Sequence, residues 1–94
     1  MDEFHLSISG KIREEIRRLT KQARREGRLS QAQSAAQAID DALRHDPLSF
    51  GEPLYELKHM RLQVRHAARA PWSFHYAVDA TRKIVYIHYV ALLS

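Results

Sequence analysis

Residues 72–90 constrain the fold more than any other stretch, because their pattern is that of two consecutive strands. Apolar or aromatic side chains occupy every second position over residues 72–78, and the second half is almost wholly β-branched or aromatic. Both patterns are typical of β-strands. The short polar segment 79–82 between them predicts a tight antiparallel hairpin that closes on Ala80 and Thr81.

The register of this hairpin decides which side chains share a face, because a slip of one residue moves every side chain to the other side of the sheet. We expect Asp79 to lie opposite Arg82. One face is then apolar and is predicted to be the core face, with Trp72, Phe74, Tyr76, Val78, Val85, Ile87 and Tyr89. The other face is mixed, and it is either solvated or a site, with Ser73, His75, Ala77, Ile84, Tyr86 and His88.

The first half of the chain is predicted to form two helices. Apolar residues recur at helical spacing in the first of them, at Ile12, Ile16, Leu19 and Ala23. This helix is expected to begin at Lys11 and to end at Gly27. Ser30 and Gln33 match a capping box, so a second helix is expected to start there. It stops before Pro47, because the residue preceding a proline disfavours the α conformation.

Two further strands complete the predicted sheet. Alternation at Phe4, Leu6 and Ile8 predicts the first strand, and alternation from Met60 to Val64 predicts the strand before the hairpin. Residues 47–53 are interpreted as a connector, and residues 67–71 as the link to the hairpin. The predicted fold class is α+β, an antiparallel sheet with a helical hairpin packed on one face, in the order β-α-α-β-β-β within one domain over residues 1–94. The other face of the sheet is left open.

Composition limits the classes of protein that this chain can belong to. It has no cysteine, which excludes a disulfide framework or a thiolate metal site and favours a reducing, cytoplasmic setting. No signal segment or membrane-spanning stretch is visible, so no membrane partner is expected. No cofactor is expected either. The formal net charge of +4 favours an anionic partner such as nucleic acid or an acidic protein.

The basic residues concentrate in the first helix. Residues 11–28 hold eight basic and three acidic side chains. Such a run is either a solvated helix face with internal ion pairs or a surface that docks on phosphate or on an acidic protein. Arg17 and Arg24 are the candidate nucleic-acid contacts in this helix.

The order of elements, together with the segments DPLSFGEPLYEL, LQVR, WSFHYAVD and KIVYIHYV, resembles the RelE/ParE family of toxins from bacterial toxin–antitoxin modules. The resemblance implies a small cytoplasmic toxin that a co-expressed antitoxin protein neutralises. RelE-like members cleave messenger RNA on the ribosome with basic and aromatic side chains on the open face and without a metal. ParE-like members inhibit DNA gyrase. The chain departs from the RelE-like pattern at Ser73, where many members carry arginine, and in its last residues, ALLS, which lack the usual basic residue and tyrosine.

RNA cleavage without a metal needs a base for the 2′-hydroxyl, a cation for the phosphorane and an acid for the leaving oxygen. The candidate catalytic residues are Arg65 for phosphate charge and His75 and His88 for proton transfer. Tyr86 is expected to stack a base, and Lys58 and Arg61 to extend the phosphate-binding patch. All are predicted to gather on the open face. The alternative is that they form only the polar side of a half-buried sheet.

Six histidines raise the question of a metal site, but they show no helical pair at metal-ligand spacing, so no metal is expected. The function expected from all these features is that of a toxin-like component, an mRNA endoribonuclease or an RNA-binding translation inhibitor. The alternative is a non-catalytic interaction module, either a ParE-like gyrase inhibitor or an inactive relative. The expected partners are an antitoxin protein and either RNA on the ribosome or gyrase. The oligomeric state is left open.

Overall fold

A pair of helices covers one face of a five-stranded sheet in the computed structural model, which describes residues 3–93. The elements in chain order are β1 (His5–Ile8), α1 (Gly10–Arg25), α2 (Leu29–His45), α3 (Pro47–Phe50), β2 (Glu52–Leu57), β3 (Leu62–Arg69), β4 (Trp72–Asp79) and β5 (Ile84–Leu92). A 3₁₀ turn, Lys58–Met60, joins β2 to β3. The predicted α+β class, with a helical hairpin on one face of the sheet, is confirmed. No helix among the described residues has the length and apolar character needed to cross a membrane.

The sheet is mixed, whereas the sequence predicted a purely antiparallel one. Its strand order is β1-β5-β4-β3-β2, and every neighbouring pair is antiparallel except β1 and β5, which run parallel. β1 pairs with the last strand and not with a sequence neighbour. No hairpin therefore determines its direction, and sequence pattern alone carried no sign of it.

One strand and one short helix occupy the region between α2 and β3. Within the predicted connector over residues 47–53, Pro47–Phe50 is α3, Gly51 follows it, and β2 begins at Glu52. The strand was missed because β2 lies at the sheet edge with nearly all of its side chains exposed, so it has no alternation of apolar and polar residues. Residues 67–69, predicted as a link, continue β3, and the turn into β4 consists of Ala70 and Pro71 alone.

The β4–β5 turn is longer than predicted. Asp79 lies opposite Ile84 and not Arg82, so the turn contains four residues. Asp79 stabilises it by accepting a hydrogen bond at its Oδ1 atom from the backbone N–H of Arg82, at 3.0 Å. The register shift is an even number of residues, and Val85 and Ile87 therefore face the helices as predicted.

A bulge at His88 reverses the faces in the second half of β5. Ile87 is opposite Tyr76 and Tyr89 is opposite His75, which leaves His88 as the extra residue. Beyond the bulge Val90 is buried under the helices and Tyr89 turns to the open face. The predicted core position of Tyr89 is therefore wrong, because one inserted residue inverts the alternation that follows it.

The two helices begin differently from each other. Ser9 caps α1 by accepting a hydrogen bond from the N–H of Ile12 at 3.2 Å. α2 begins at Leu29, and no side chain caps it, so the predicted capping box at Ser30 is wrong. Gly27 has φ 72°, which allows a tight reversal, and Ser30 is already inside the first turn of the helix.

Tyr76 connects the sheet to the segment that leads into β2. Its side chain is fully buried, and its hydroxyl donates to the carbonyl of Pro47 at 2.7 Å and accepts from the N–H of Gly51 at 3.0 Å. On the same strand, Trp72 donates from its indole nitrogen to the carbonyl of Ala32 at 2.9 Å. These bonds tie β4 to α2 and α3, the elements that cover it.

We expect Tyr76→Phe to lower the free energy of unfolding by about 2 kcal/mol, because two buried backbone groups lose their partner. Urea unfolding followed by circular dichroism measures this change. Tyr86→Phe is the matched control on the open face, and we expect it to stay within about 0.5 kcal/mol of the original chain. Equal stability of the two variants would contradict the role assigned to the Tyr76 hydroxyl.

Candidate functional site

Three histidines and a tyrosine form a row across the middle of the open face. His66 on β3 lies directly opposite His75 on β4, which lies directly opposite Tyr89 on β5. Ring centroids are 5.1 Å apart for His66 and His75, 5.9 Å for His75 and His88, and 5.0 Å for His75 and Tyr89. We call these four residues the histidine row. Its centre is His75, whose ring is close to all three of the others.

Local sequence explains how the row is assembled. Phe74 and Tyr76 are buried under the helices, so His75 between them must point to the open face. The bulge then brings both His88 and Tyr89 beside it. The predicted placement of His75 and His88 on the open face agrees with the structure.

Burial lowers the pKa of two imidazoles in this row, and repulsion between the rings adds to this effect at His75. Burial lowers the pKa of His75 below its usual value, and nearby charge on His66 and His88 lowers this pKa further. Burial also lowers the pKa of His88. His66 shares a hydrogen bond between its Nε2 and the Ser73 hydroxyl at 3.2 Å. A neutral imidazole has a free nitrogen lone pair, so His75 is suited to accept a proton near neutral pH.

Arg65 lies on the other side of the sheet, and its predicted placement on the open face is wrong. It is opposite Tyr76 in the register and only 6% exposed. Its guanidinium donates to the carbonyl of Gly51 and to the side-chain oxygen of Gln63, both at 2.5 Å. The Nε atom is buried without a hydrogen-bond partner. Val64, the residue before Arg65, points to the open face, where neighbouring side chains bury it.

A groove lies on the open face next to the β4–β5 turn. We call it the hairpin groove, and its lining consists of His59, Met60, Arg61, Leu62, Asp79, Thr81, Arg82 and Tyr86. Arg61 is held there by a left-handed backbone conformation, with φ 53°. The Arg82 guanidinium is 3.7 Å from the carboxylate of Asp79, and its side chain remains 73% exposed. Small, buried Val64 and Ala77 lie opposite each other in the same cross-strand row as Tyr86, next to the row of His66 and His75.

The predicted nucleic-acid contacts divide between two surfaces. Arg61 and Tyr86 lie in the hairpin groove, and Lys58 is in the 3₁₀ turn at the same end of the sheet. Arg17 and Arg24 belong to α1, in the layer that covers the opposite face, where Arg17 is paired with Glu14. These residues therefore do not make one continuous surface.

Three open-face residues were not identified from the sequence. His66 and His75 are equally distant from the turn at Ala70 and Pro71, and this symmetry would have placed them opposite each other if the hairpin had been recognised. Arg82 was assigned only to the turn. Tyr89 had no usable signal, because nothing in the pattern of β5 marks the bulge.

Among residues 3–93, no three histidine, aspartate or glutamate side chains converge in a way that would hold a metal ion. The chain matches no family model, no curated protein and no solved structure. The function is therefore inferred from the geometry of the site itself.

We expect Arg65→Ala to lower the free energy of unfolding by about 1–3 kcal/mol, because the Gly51 carbonyl loses its partner. Arg61→Ala is the matched control, and it should unfold like the original chain because the Arg61 side chain is exposed. Equal stability of the two variants would contradict the placement of Arg65 beneath the sheet.

The lowered pKa of His75 also makes stability depend on pH. Because the unfolded chain binds the proton more readily, stability is complete above the unfolded pKa of about 6.5 and falls as the pH drops through the window below it. We expect urea unfolding at about pH 7.5 and pH 5.5 to show this fall, and His75→Gln to reduce it. A His75 ring that titrates at or above the ordinary histidine pKa by NMR would contradict this expectation.

Proposed function

We propose that this chain is a toxin-like component of a toxin–antitoxin module that binds single-stranded RNA on the open face of its sheet and cleaves it without a metal. The observation that supports this most directly is the histidine row. It places two imidazoles, those of His66 and His88, beside that of His75, at ring distances of 5.1 and 5.9 Å, on the face that no helix covers. Imidazoles are the side chains best suited to exchange protons near neutral pH.

The row can supply both proton transfers of RNA cleavage. Neutral His75 accepts the proton of the 2′-hydroxyl, and the 2′-oxygen forms a bond to the phosphorus. The bond from phosphorus to the 5′-oxygen then breaks, and an imidazolium donates its proton to that oxygen. We assign this donor to His66, because it lies directly opposite His75 on β3 and its ring is the nearest imidazole to that of His75, at 5.1 Å. The products are a 2′,3′-cyclic phosphate and a 5′-hydroxyl.

The phosphorane charge must be stabilised by the same histidines. Arg65, the predicted cation, is buried beneath the sheet. The arginines of the hairpin groove lie at the end of the strands, away from the row. Electrostatic stabilisation by a dedicated arginine is therefore missing from this arrangement, and we expect a slow enzyme.

The resemblance to RelE/ParE toxins supports the toxin–antitoxin setting of this proposal. The α+β architecture that the resemblance implied is the one that the chain has, and its helical pair and open face are the features that such toxins share. An antitoxin partner and action at the ribosome follow from the resemblance alone and belong to the proposal.

Exposed apolar side chains favour a second candidate, a non-catalytic module that inhibits its target through protein contacts. Leu48 and Leu54 are 43% and 48% exposed beside the β2 edge of the sheet. An edge strand with exposed apolar residues is a surface on which another protein can pair. In this candidate the histidine row is only the polar side of the sheet, and the target is gyrase.

We expect the purified protein to cleave single-stranded RNA in the presence of EDTA and to leave 2′,3′-cyclic phosphate ends. His75→Ala should slow cleavage by about 10² to 10⁴-fold, because it removes the base. His45→Ala is the matched control, since His45 lies at the end of α2 on the other side of the sheet. Cleavage by His75→Ala at the original rate would remove the catalytic assignment.

In cells, DNA damage with continued protein synthesis would support the second candidate instead.

A further inference from the structure

We infer that the hairpin groove is a nucleotide subsite, which holds the base and phosphate of the RNA nucleotide next to the one that is cleaved. This inference rests on the proposed function and adds the place where the neighbouring nucleotide of the RNA binds. The lining of the groove, its cations and its distance to the histidine row support this inference.

Tyr86 provides a surface for the base. It is half-buried, lines the groove and lies directly opposite Ala77, whose small side chain leaves the space beside the tyrosine ring free. Stacking of a base on an aromatic ring requires such an accessible face, and it tolerates every base. A base in a duplex is not free to stack on a protein side chain, so the substrate must be single-stranded.

Arg61 and Arg82 provide the phosphate contacts. Both side chains are exposed and line the groove with Tyr86. Backbone structure positions each of them, through the left-handed conformation of Arg61 and the Asp79 hydrogen bond to the N–H of Arg82. The Asp79 carboxylate neutralises part of the Arg82 charge at 3.7 Å, which makes Arg61 the stronger of the two phosphate contacts.

The spacing links the groove to the histidine row. Tyr86 is opposite Ala77, and Ala77 is two residues along β4 from His75. Two residues of a strand span about 6.7 Å, which is within the reach of one nucleotide in an extended chain. Val64 and Ala77 are in the same cross-strand row as Tyr86, and both are small and buried, so their side chains leave the path along β3 and β4 open. A strand with a base on Tyr86 thus brings a neighbouring phosphate to the row.

The first experiment separates binding from cleavage by using a fluorescent 2′-O-methyl oligonucleotide, which cannot be cleaved. Tyr86→Ala should weaken its binding at least fivefold, and Tyr86→Phe should restore it, because the ring and not the hydroxyl makes the stack. Tyr55→Ala is the matched control. Tyr55 is an exposed tyrosine in the same cross-strand row, on β2 at the far edge of the face. Arg61→Gln should reduce the slope of log affinity against log salt by about one.

The second experiment compares two substrates, a dinucleotide, which needs the subsite, and a 2′,3′-cyclic mononucleotide, which needs only the histidine row. Tyr86→Ala should raise the KM for the dinucleotide at least fivefold and leave hydrolysis of the cyclic mononucleotide unchanged. Oligonucleotide binding that depends on Tyr86 in a protein that cleaves nothing would keep the subsite and remove the catalytic proposal. Binding and cleavage that are the same in Tyr86→Ala and in Tyr55→Ala would overturn the subsite.

Discussion

Burial of Trp72, Phe74 and Tyr76 beneath the helical pair is the constraint on which the rest of the structure depends. These side chains are at most 4% exposed, and two of them also hydrogen-bond to the backbone of the elements that cover them. Successive side chains of a strand point to opposite faces, so Ser73 and His75, which alternate with these three residues, must point to the open face. The position of His75 on the open face is a consequence of what its neighbours bury.

The bulge in β5 gives the open face its chemical character. An uninterrupted strand would have placed Tyr89 under the helices and left His75 with fewer polar neighbours. The inserted residue instead presents His88 and Tyr89 together beside His75, while Val90 still reaches the core. Bulges commonly redirect side chains next to functional sites. Here the bulge lets Val90 pack in the core while His88 and Tyr89 remain on the open face.

Elements whose buried residues repeat with a regular period were the easiest to predict from the sequence. β4 and both long helices follow such periods, and they were predicted with the right faces. β2 is exposed along its length, so no burial pattern marked it. Arg65 was misplaced because the alternation in β3 predicted an apolar face under the helices and a basic face opposite, whereas Val64 lies on the open face and Arg65 bonds to the Gly51 carbonyl under the sheet. The assembly of the site needed the β3–β4 register, which links His66 to His75 and is a property of tertiary structure.

The pairing of β1 with β5 has a consequence for how the chain reaches its native state. The first strand of the sheet pairs with β5, so it cannot join the sheet until residues 84–92 have been synthesised. Contacts between distant parts of a chain also form slowly, because a large loop must close first. During synthesis the sheet beside the helical pair therefore stays incomplete, and the core closes late, when β1 and β5 come together.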